Sequence, residues 1–235
     1  MADQLPPEVR ERTRTSYWYS RANVPREMWS TDFDRFEGTV LEKAADAAFE
    51  LADEWVNDGV FKGIALFGKP GVGKTALTST MICALVKATI PRTIPALFSE
   101  DVQGYFITVA DYHRLYLKLY ELDRWAKRAP GDSSDAYHEW EKNFILRRFI
   151  EEEVQHLVID DVGNEHQTAS GAVQDEFHAL VRGRYARGLS TSITSNLSRD
   201  EFIGMYGEPQ LSFVHELARV FNIRGGKDRR TGKEG

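Results

Sequence analysis

Apolar residues along this chain follow two patterns that alternate with each other. Stretches with helical spacing predict helices at 39–57, from 77 to 88, from 111 to 127, from a break at 130–134 to 153, around 173–181, at 199–206 and at 211–219. Short runs between them predict strands at 63–67, 105–109, 156–160 and 190–194, with 220–224 as an edge strand. Prolines and an acidic pair predict a loop at 90–104. Strands that alternate with helices predict an α/β fold, with a parallel sheet and helices on both of its faces.

The segment 68–75, Gly-Lys-Pro-Gly-Val-Gly-Lys-Thr, lies between the first predicted strand and a predicted helix. It matches G-x-x-x-x-G-K-[ST], a loop whose backbone N–H groups surround nucleotide phosphates. In such a loop the lysine, here Lys74, reaches the β- and γ-phosphates, and the hydroxyl of Thr75 holds Mg²⁺. A glycine turn before an ordinary helix is the alternative, and the strand–loop–helix context argues against it. The residues expected to bind ATP are Gly68, Lys69, Pro70, Gly71, Val72, Gly73, Lys74, Thr75 and Ala76.

Polar side chains also end two of the other predicted strands. Asp160 and Asp161 follow an apolar run, so we expect Asp160 to hold Mg²⁺ and Asp161 to orient or deprotonate the attacking water. Asn196 ends the next strand, and its amide would face the γ-phosphate if that strand lies between the other two. The alternatives are a polar turn at 160–163 and a turn or helix cap at Asn196.

Composition limits the function classes. The 235 residues are 42% hydrophobic and 28% charged, which is typical of one large or two small globular domains. We expect no membrane span and no signal peptide, and we expect the single cysteine, Cys83, to be a core residue in a reducing cytoplasm. A net charge of −6 argues against a histone-like mode of DNA binding but allows a local basic patch.

Two further clusters have open interpretations. Tyr112, Tyr116 and Tyr120 recur every four residues beside Arg114 and Lys118, which suits either single-stranded DNA or a half-buried helix stripe, and the stripe is favoured. A second set of residues forms either a basic track or a solvated face of mixed charge, and the mixed-charge face is favoured: Arg124, Lys127, Arg128, Arg147 and Arg148.

The aromatic cluster at 17–19, Tyr-Trp-Tyr, lies among the arginines of the first twenty residues. It is either a peptide that docks on a partner or a strand of aromatic residues that packs back on the domain. The sequence favours neither.

Four segments occur in a specific order: the 68–75 loop, Asp-Asp-Val-Gly-Asn-Glu at 160–165, Gly-Arg-Tyr-Ala-Arg-Gly at 183–188 and Ser-Ile-Thr-Ser-Asn-Leu-Ser at 192–198. With Ala-Asn-Val-Pro at 22–25, this order resembles the AAA+ ATPases of the DnaC/IstB type, over residues 21–230. These are bacterial and phage replicative-helicase loaders and the helper ATPases of some transposons. The resemblance implies a P-loop NTPase fold without a full C-terminal helical lid. It also implies Walker A roles for Lys74 and Thr75, Walker B roles for Asp160 and Asp161, and the sensor-1 role for Asn196.

The resemblance also implies the partners and the location of the protein. Expected partners are a replicative helicase, hexameric in this family, single-stranded DNA, and neighbouring copies that complete the ATP site, all in the cytoplasm of a bacterium or of a phage host. Family members carry a Ser-Arg-Leu-like triplet whose arginine acts on the neighbouring ATP. Here that place reads His215-Glu216-Leu217, so Arg219, one turn further along the predicted helix, is the nearest substitute, and Arg230 is a further family match.

We therefore expect a polar arm at 1–20, which is short beside the helicase-binding domain of other loaders, an AAA+ ATPase domain at 21–224 and a basic tail at 225–235. The expected function is an ATP-dependent, Mg²⁺-dependent replication factor that grips single-stranded DNA and loads or remodels a helicase. Two alternatives remain: a transposition helper that binds duplex DNA and recruits a transposase, and a nucleotide-gated interaction protein with little turnover.

Overall fold

The computed structural model describes residues 7–58, 62–89, 103–128, 134–164 and 172–226. The helices are α1 (Pro7–Arg21), α2 (Glu42–Asp58), α3 (Lys74–Thr89), α4 (Val109–Arg128), α5 (Ser134–Arg148), α6 (Ala172–Ala186), α7 (Arg199–Tyr206) and α8 (Glu208–Leu217). The strands are β1 (Gly63–Gly68), β2 (Gly104–Thr108), β3 (His156–Val162), β4 (Ser190–Ser195) and β5 (Ala218–Ile223). Short 3₁₀ turns at Arg26–Met28 and Phe33–Phe36 join α1 to α2, and a π turn at Phe149–Glu153 joins α5 to β3.

The five strands form a parallel sheet in the order β2-β3-β4-β1-β5, which confirms the predicted fold class. β4 lies between β1 and β3, so the condition set for Asn196 is met. All positions of β4 are buried although most of them carry hydroxyl groups. Buried hydroxyls need partners, and Ser192 Oγ accepts the Ile64 N–H at 2.9 Å while Ser195 Oγ donates to the Val162 carbonyl at 2.6 Å.

Alternate residues of β1 point to opposite faces of the sheet and divide the core. Ala65 and Phe67 join the cluster formed with α4, α6, α7 and α8. Ile64 and Leu66 join the cluster formed with α2 and α3. Helices therefore cover both faces, as the alternation of elements predicts. None of the helices in the described ranges is long and apolar enough to cross a membrane.

α1 packs against the domain through the aromatic cluster. Trp18 and Tyr19 are 2% and 3% exposed and lie among residues of α3, with Phe106 of β2 beside them. Just after α1, the carbonyl of Ala22 accepts the Phe106 N–H at 2.9 Å, and the amide of Asn23 donates to the Phe106 carbonyl at 2.7 Å. Of the two interpretations of this cluster, packing back on the domain is confirmed, but as a helix rather than a strand.

The C-terminal elements differ from the prediction at one boundary. α7 matches its predicted range and begins with a capping box, in which Ser198 accepts from the Glu201 N–H and the Glu201 carboxylate accepts from the Ser198 N–H. The helix predicted at 211–219 instead ends at Leu217, and Arg219 lies on the edge strand β5. In the described residues after β5, which end at 226, no further helix follows. Most of the predicted loop at 90–104 and of the break at 130–134 lies outside the described residues, as do Glu165 and the tail from 227, including Arg230.

Candidate nucleotide-binding site

The loop at 68–75 joins β1 to α3, and its lysine lies inside it. Gly71 and Gly73 have φ values of 80° and 107°, a region that side chains disfavour, so glycine is needed at both turns. Lys74 is 5% exposed, and its Nζ donates to the carbonyls of Gly68 and Lys69 at 2.6 and 2.8 Å. Nζ also donates to Oδ1 of Asn196 at 2.8 Å. The loop therefore places one cation at the carboxyl edge of the sheet, where ligands of such folds bind.

A cavity of about 330 Å³ opens over this loop, within the range of small-molecule sites. Its walls come from the loop and first turn of α3, from the ends of β3 and β4, and from the 3₁₀ turns before α2: Met28, Arg35, Pro70, Gly71, Gly73, Lys74, Thr75, Ala76, Asp161, Asn164 and Asn196. Gly68 and Lys69 line a neighbouring groove of about 700 Å³, and Val72 is buried in the core. The predicted loop residues thus divide between the cavity, its rim and the core.

Asp160 lies beneath the cavity in contact with Thr75. Thr75 Oγ1 donates to both Asp160 carboxylate oxygens, at 3.0 and 3.2 Å, and Asp160 is 3% exposed. Burial raises the pKa of Asp160, and the hydrogen bond from Thr194 is the next largest influence, which lowers it. A hydroxyl and a carboxylate that meet below a phosphate-binding loop are the hard oxygen donors that Mg²⁺ takes, together with phosphate oxygens and water. The residues therefore fit the expected Mg²⁺ site.

Asp161 lines the cavity, and the backbone turns at that residue. Its φ is 59°, a left-handed conformation that non-glycine residues seldom adopt, and the β3–β4 register shifts between Ile159 and Val162. Its Oδ1 accepts from Nδ2 of Asn196 at 3.1 Å. The consecutive carboxylates thus have different partners, Thr75 and Thr194 for Asp160 and Asn196 for Asp161, and their division of roles stays a prediction.

Asn196 bridges the two charged groups of the cavity. Its Oδ1 accepts from the Lys74 ammonium and its Nδ2 donates to the Asp161 carboxylate, so the charges on both sides fix the orientation of the amide. The position of β4 between β1 and β3 makes this contact possible. Lys74, Asp161 and Asn196, predicted as separate motifs, therefore form one hydrogen-bonded group.

Arg219 lies away from this group. It pairs with Ile64 in the β1–β5 register, toward the amino ends of the strands, whereas Gly68 at the start of the loop pairs with Ile223. Its guanidinium contacts two carboxylates of α2 in its own chain, Glu50 at 3.0 Å and Glu54 at 3.5 Å. Its predicted location on a helix is wrong, because the chain becomes extended at Ala218.

The tyrosine stripe of α4 belongs mainly to the packing of the domain. Tyr112 is 4% exposed and its hydroxyl donates to Glu151 at 2.5 Å, so the half-buried stripe is confirmed at this residue and base stacking there is wrong. The Arg147 guanidinium covers the ring of Tyr116 at 5.0 Å, and Tyr120 is 55% exposed.

The proposed basic track is a mixed-charge face. Arg147 pairs with Glu151 at 2.6 Å and Arg148 with Glu153 at 3.0 Å, which confirms the favoured interpretation for these two arginines. The side chains of Lys127 and Arg128 lie outside the described residues.

Sequence patterns did not identify two residues of the site. Thr194 contacts both aspartates. The only feature of the sequence that points to Thr194 is its position two residues before Asn196, on the same side of the strand. Arg35 lines the cavity from a 3₁₀ turn, and no periodicity connects that turn with the loop.

Comparisons with known proteins agree with this architecture. No protein-family model matches the sequence, and no curated protein matches it. The crystal structure of the DnaC helicase loader is similar with a TM-score of 0.59 at 21% identity, covering 85% of this chain and 100% of that one.

Two replication initiators are also similar in fold. Domain III of the Thermotoga maritima replication initiation protein DnaA has a TM-score of 0.58 at 18% identity, covering 87% and 70% of the two chains. A replication initiator DnaA bound to AMPPCP and single-stranded DNA has a TM-score of 0.54 at 15% identity, covering 85% and 50%. These similarities show that the chain shares the fold of the DnaC helicase loader and of DnaA domain III, a five-stranded parallel sheet with flanking helices.

Proposed function

We propose that this protein is a Mg²⁺-dependent ATPase that binds single-stranded DNA and loads or remodels a replicative helicase. One observation carries the ATPase part. Lys74, Asp161 and Asn196 meet at the carboxyl ends of three adjacent strands, and Thr75 and Asp160 contact each other directly below them. Around one cavity, these residues would supply a cation for the phosphates, a pair of oxygen donors for the metal and a carboxylate for the attacking water.

The residues divide the hydrolysis of ATP between them. Lys74 leaves Asn196 to bind the β- and γ-phosphates, and the loop N–H groups bind the remaining phosphate oxygens. Thr75 and Asp160 would hold Mg²⁺, which would supply charge neutralisation at the phosphates. Asp161 accepts the proton of a water that attacks the γ-phosphorus, while the bond to the β-phosphate oxygen breaks and gives ADP and phosphate. Positioning and charge neutralisation supply most of the rate in such reactions.

The replication role rests on the likeness to solved structures of a helicase loader and of DnaA. A DnaA structure of the same fold is described as bound to AMPPCP and single-stranded DNA. We extend both ligands to this chain and propose a cytoplasmic protein that partners with a hexameric helicase and self-associates through the ATP site. Arg219 would have to leave Glu50 and Glu54 to serve the ATP of a neighbouring copy.

That ion pair favours a second candidate function. Because Glu50 and Glu54 hold Arg219 within its own chain, a nucleotide-gated interaction protein with slow turnover fits the same contacts. It would bind ATP and change partners without using the energy of rapid hydrolysis.

One set of assays separates these functions. Phosphate release and nucleotide affinity are measured for the wild type and for Lys74→Ala, with Mg²⁺ alone, with single-stranded DNA and with duplex DNA, followed by affinity capture from native cells. ATP turnover, preference for single strands and capture of a hexameric helicase support the proposal. Preference for duplex DNA with capture of a transposase indicates a transposition helper, and ATP binding without phosphate release indicates the gated protein. Equal ATP affinity of Lys74→Ala and the wild type overturns the site.

A further inference from the structure

The side chain of Thr194 lies between the two aspartates that end β3. Its Oγ1 donates to Oδ1 of Asp160 at 2.5 Å and accepts the backbone N–H of Asp161 at 3.1 Å. Thr194 is 0% exposed and Asp160 is 3% exposed, so the hydrogen bond between them is shielded from water. One hydroxyl thus contacts both the residue expected to hold Mg²⁺ and the residue expected to face the attacking water.

The backbone around these contacts explains why the hydroxyl matters. The β3–β4 register shifts between Ile159 and Val162, so Asp160 and Asp161 lie within the irregular part of the ladder. Asp161 is in the left-handed region with a φ of 59°, which persists only where surrounding contacts enforce it. Its part-buried N–H would lose the Thr194 hydroxyl as acceptor, and an N–H left unpaired away from water is unfavourable.

We propose that Thr194 is a positioning residue for the nucleotide site. It holds the Asp160 carboxylate beside Thr75 and fixes the left-handed backbone of Asp161, which keeps the Asp161 carboxylate on Asn196. This inference rests on the proposed ATPase function and adds to it the residue that sets the relative orientation of the two acidic groups.

Removal of the hydroxyl should therefore affect the metal and the water but leave the phosphate-binding loop intact. In Thr194→Val, which keeps the shape of the side chain, Lys74 retains its partners Gly68 and Lys69. We expect nucleotide affinity without Mg²⁺ to remain within about twofold of the wild type, while the strengthening of binding by Mg²⁺ falls at least tenfold. Turnover should fall by about 100-fold, the effect of a small misplacement of catalytic groups. Thr194→Ser keeps the hydroxyl and should restore both.

The experiment measures binding of a fluorescent ATP analogue by equilibrium titration, with excess EDTA and with Mg²⁺, and phosphate release in parallel. Thr80→Val is the matched control, because Thr80 is also buried and lies away from the aspartates. The substitution also removes a hydrogen bond of a hydroxyl group, the one from Thr80 Oγ1 to Thr31 at 2.7 Å. Thr80→Val should keep the wild-type response to Mg²⁺. Thr194→Ala is a second hydroxyl-free variant should Thr194→Val not fold.

The outcomes distinguish this inference from the proposed function. A folded Thr194→Val or Thr194→Ala with the wild-type response to Mg²⁺ and wild-type turnover overturns the positioning role. An equal loss of the response in Thr80→Val also overturns it, because the effect would then follow from any buried hydroxyl. Failure of the wild type itself to bind the analogue refutes the ATPase proposal, whichever behaviour the variants show.

Discussion

The stability of this protein should depend on pH through one buried histidine. His156 begins β3 and is 0% exposed, with Nδ1 at 3.0 Å from Ser190 Oγ and Nε2 at 3.2 Å from Ser192 Oγ. The guanidinium of Arg184 is fully buried nearby and donates to the Ser190 carbonyl at 2.7 Å. Burial, and then the charge of Arg184, lower the pKa of His156 from 6.5 to about 3.

The sign and size of the effect follow from the difference between the folded and unfolded states. Below pH 6.5 the unfolded chain binds a proton at this histidine that the folded protein excludes until pH 3. The free energy of unfolding therefore falls as the pH is lowered through this window. Since one pKa unit corresponds to about 1.4 kcal/mol, lowering the pH from 7 to 5 should remove about 2 kcal/mol through His156 alone.

Urea unfolding at pH 7 and pH 5 measures this loss, and His156→Gln isolates it, because glutamine can hydrogen-bond to the serines but does not titrate. The wild type should lose about 2 kcal/mol more than His156→Gln between the two pH values. His138→Gln removes a histidine whose side chain is 64% exposed and should lose as much as the wild type. Equal losses in the wild type and His156→Gln would refute the argument that the fold keeps His156 neutral.

Three further predictions concern the nucleotide site. Lys74→Ala should weaken ATP binding by roughly 10- to 100-fold or more in equilibrium titrations, because it removes a charged donor to the phosphates, and wild-type affinity would contradict this role. Asp161→Asn should bind ATP but lose about 10²- to 10⁴-fold in phosphate release, whereas Asp160→Asn should also lose Mg²⁺-dependent binding; identical behaviour would contradict the division of roles. Arg35→Ala should weaken ATP binding by roughly tenfold while Arg219→Ala leaves it unchanged, since Arg35 lines the cavity and Arg219 does not. For Arg219→Ala, a loss of about 10³-fold in turnover would identify an arginine donated to a neighbouring subunit, and unchanged turnover a surface residue.

Local patterns in the sequence were sufficient for much of this architecture. The loop around Lys74 and the aspartates near the end of β3 follow from the fixed spacing of residues whose backbone and side chains act together. The end of α8 could not be predicted, because apolar residues continue at helical spacing through Leu217 and no glycine or proline separates α8 from β5. α1 was missed because its few anchors, including Trp18, are stabilised by tertiary contacts rather than by a continuous apolar stripe.

The group formed by Lys74, Asn196 and Asp161 illustrates the limit of such patterns. Each residue was identified from its own motif, but their contacts depend on β4 pairing with both β1 and β3. Arg35 and Thr194 contribute only through contacts between elements distant in sequence. Such contacts carry no local periodicity, so only the folded chain reveals them.

The strand order also determines when the nucleotide site can form during synthesis. β1 pairs only with β4 and β5 in the described sheet, and both are made after it. At about 5–20 residues per second, a ribosome needs on the order of ten seconds to make the roughly 130 residues from the start of β1 to the end of β4. Until then the apolar side chains of Ile64, Leu66 and Phe67 have no neighbouring strand, a state that favours aggregation or capture by chaperones. The phosphate-binding loop is therefore among the first parts of the site to be translated and among the last to be held in place.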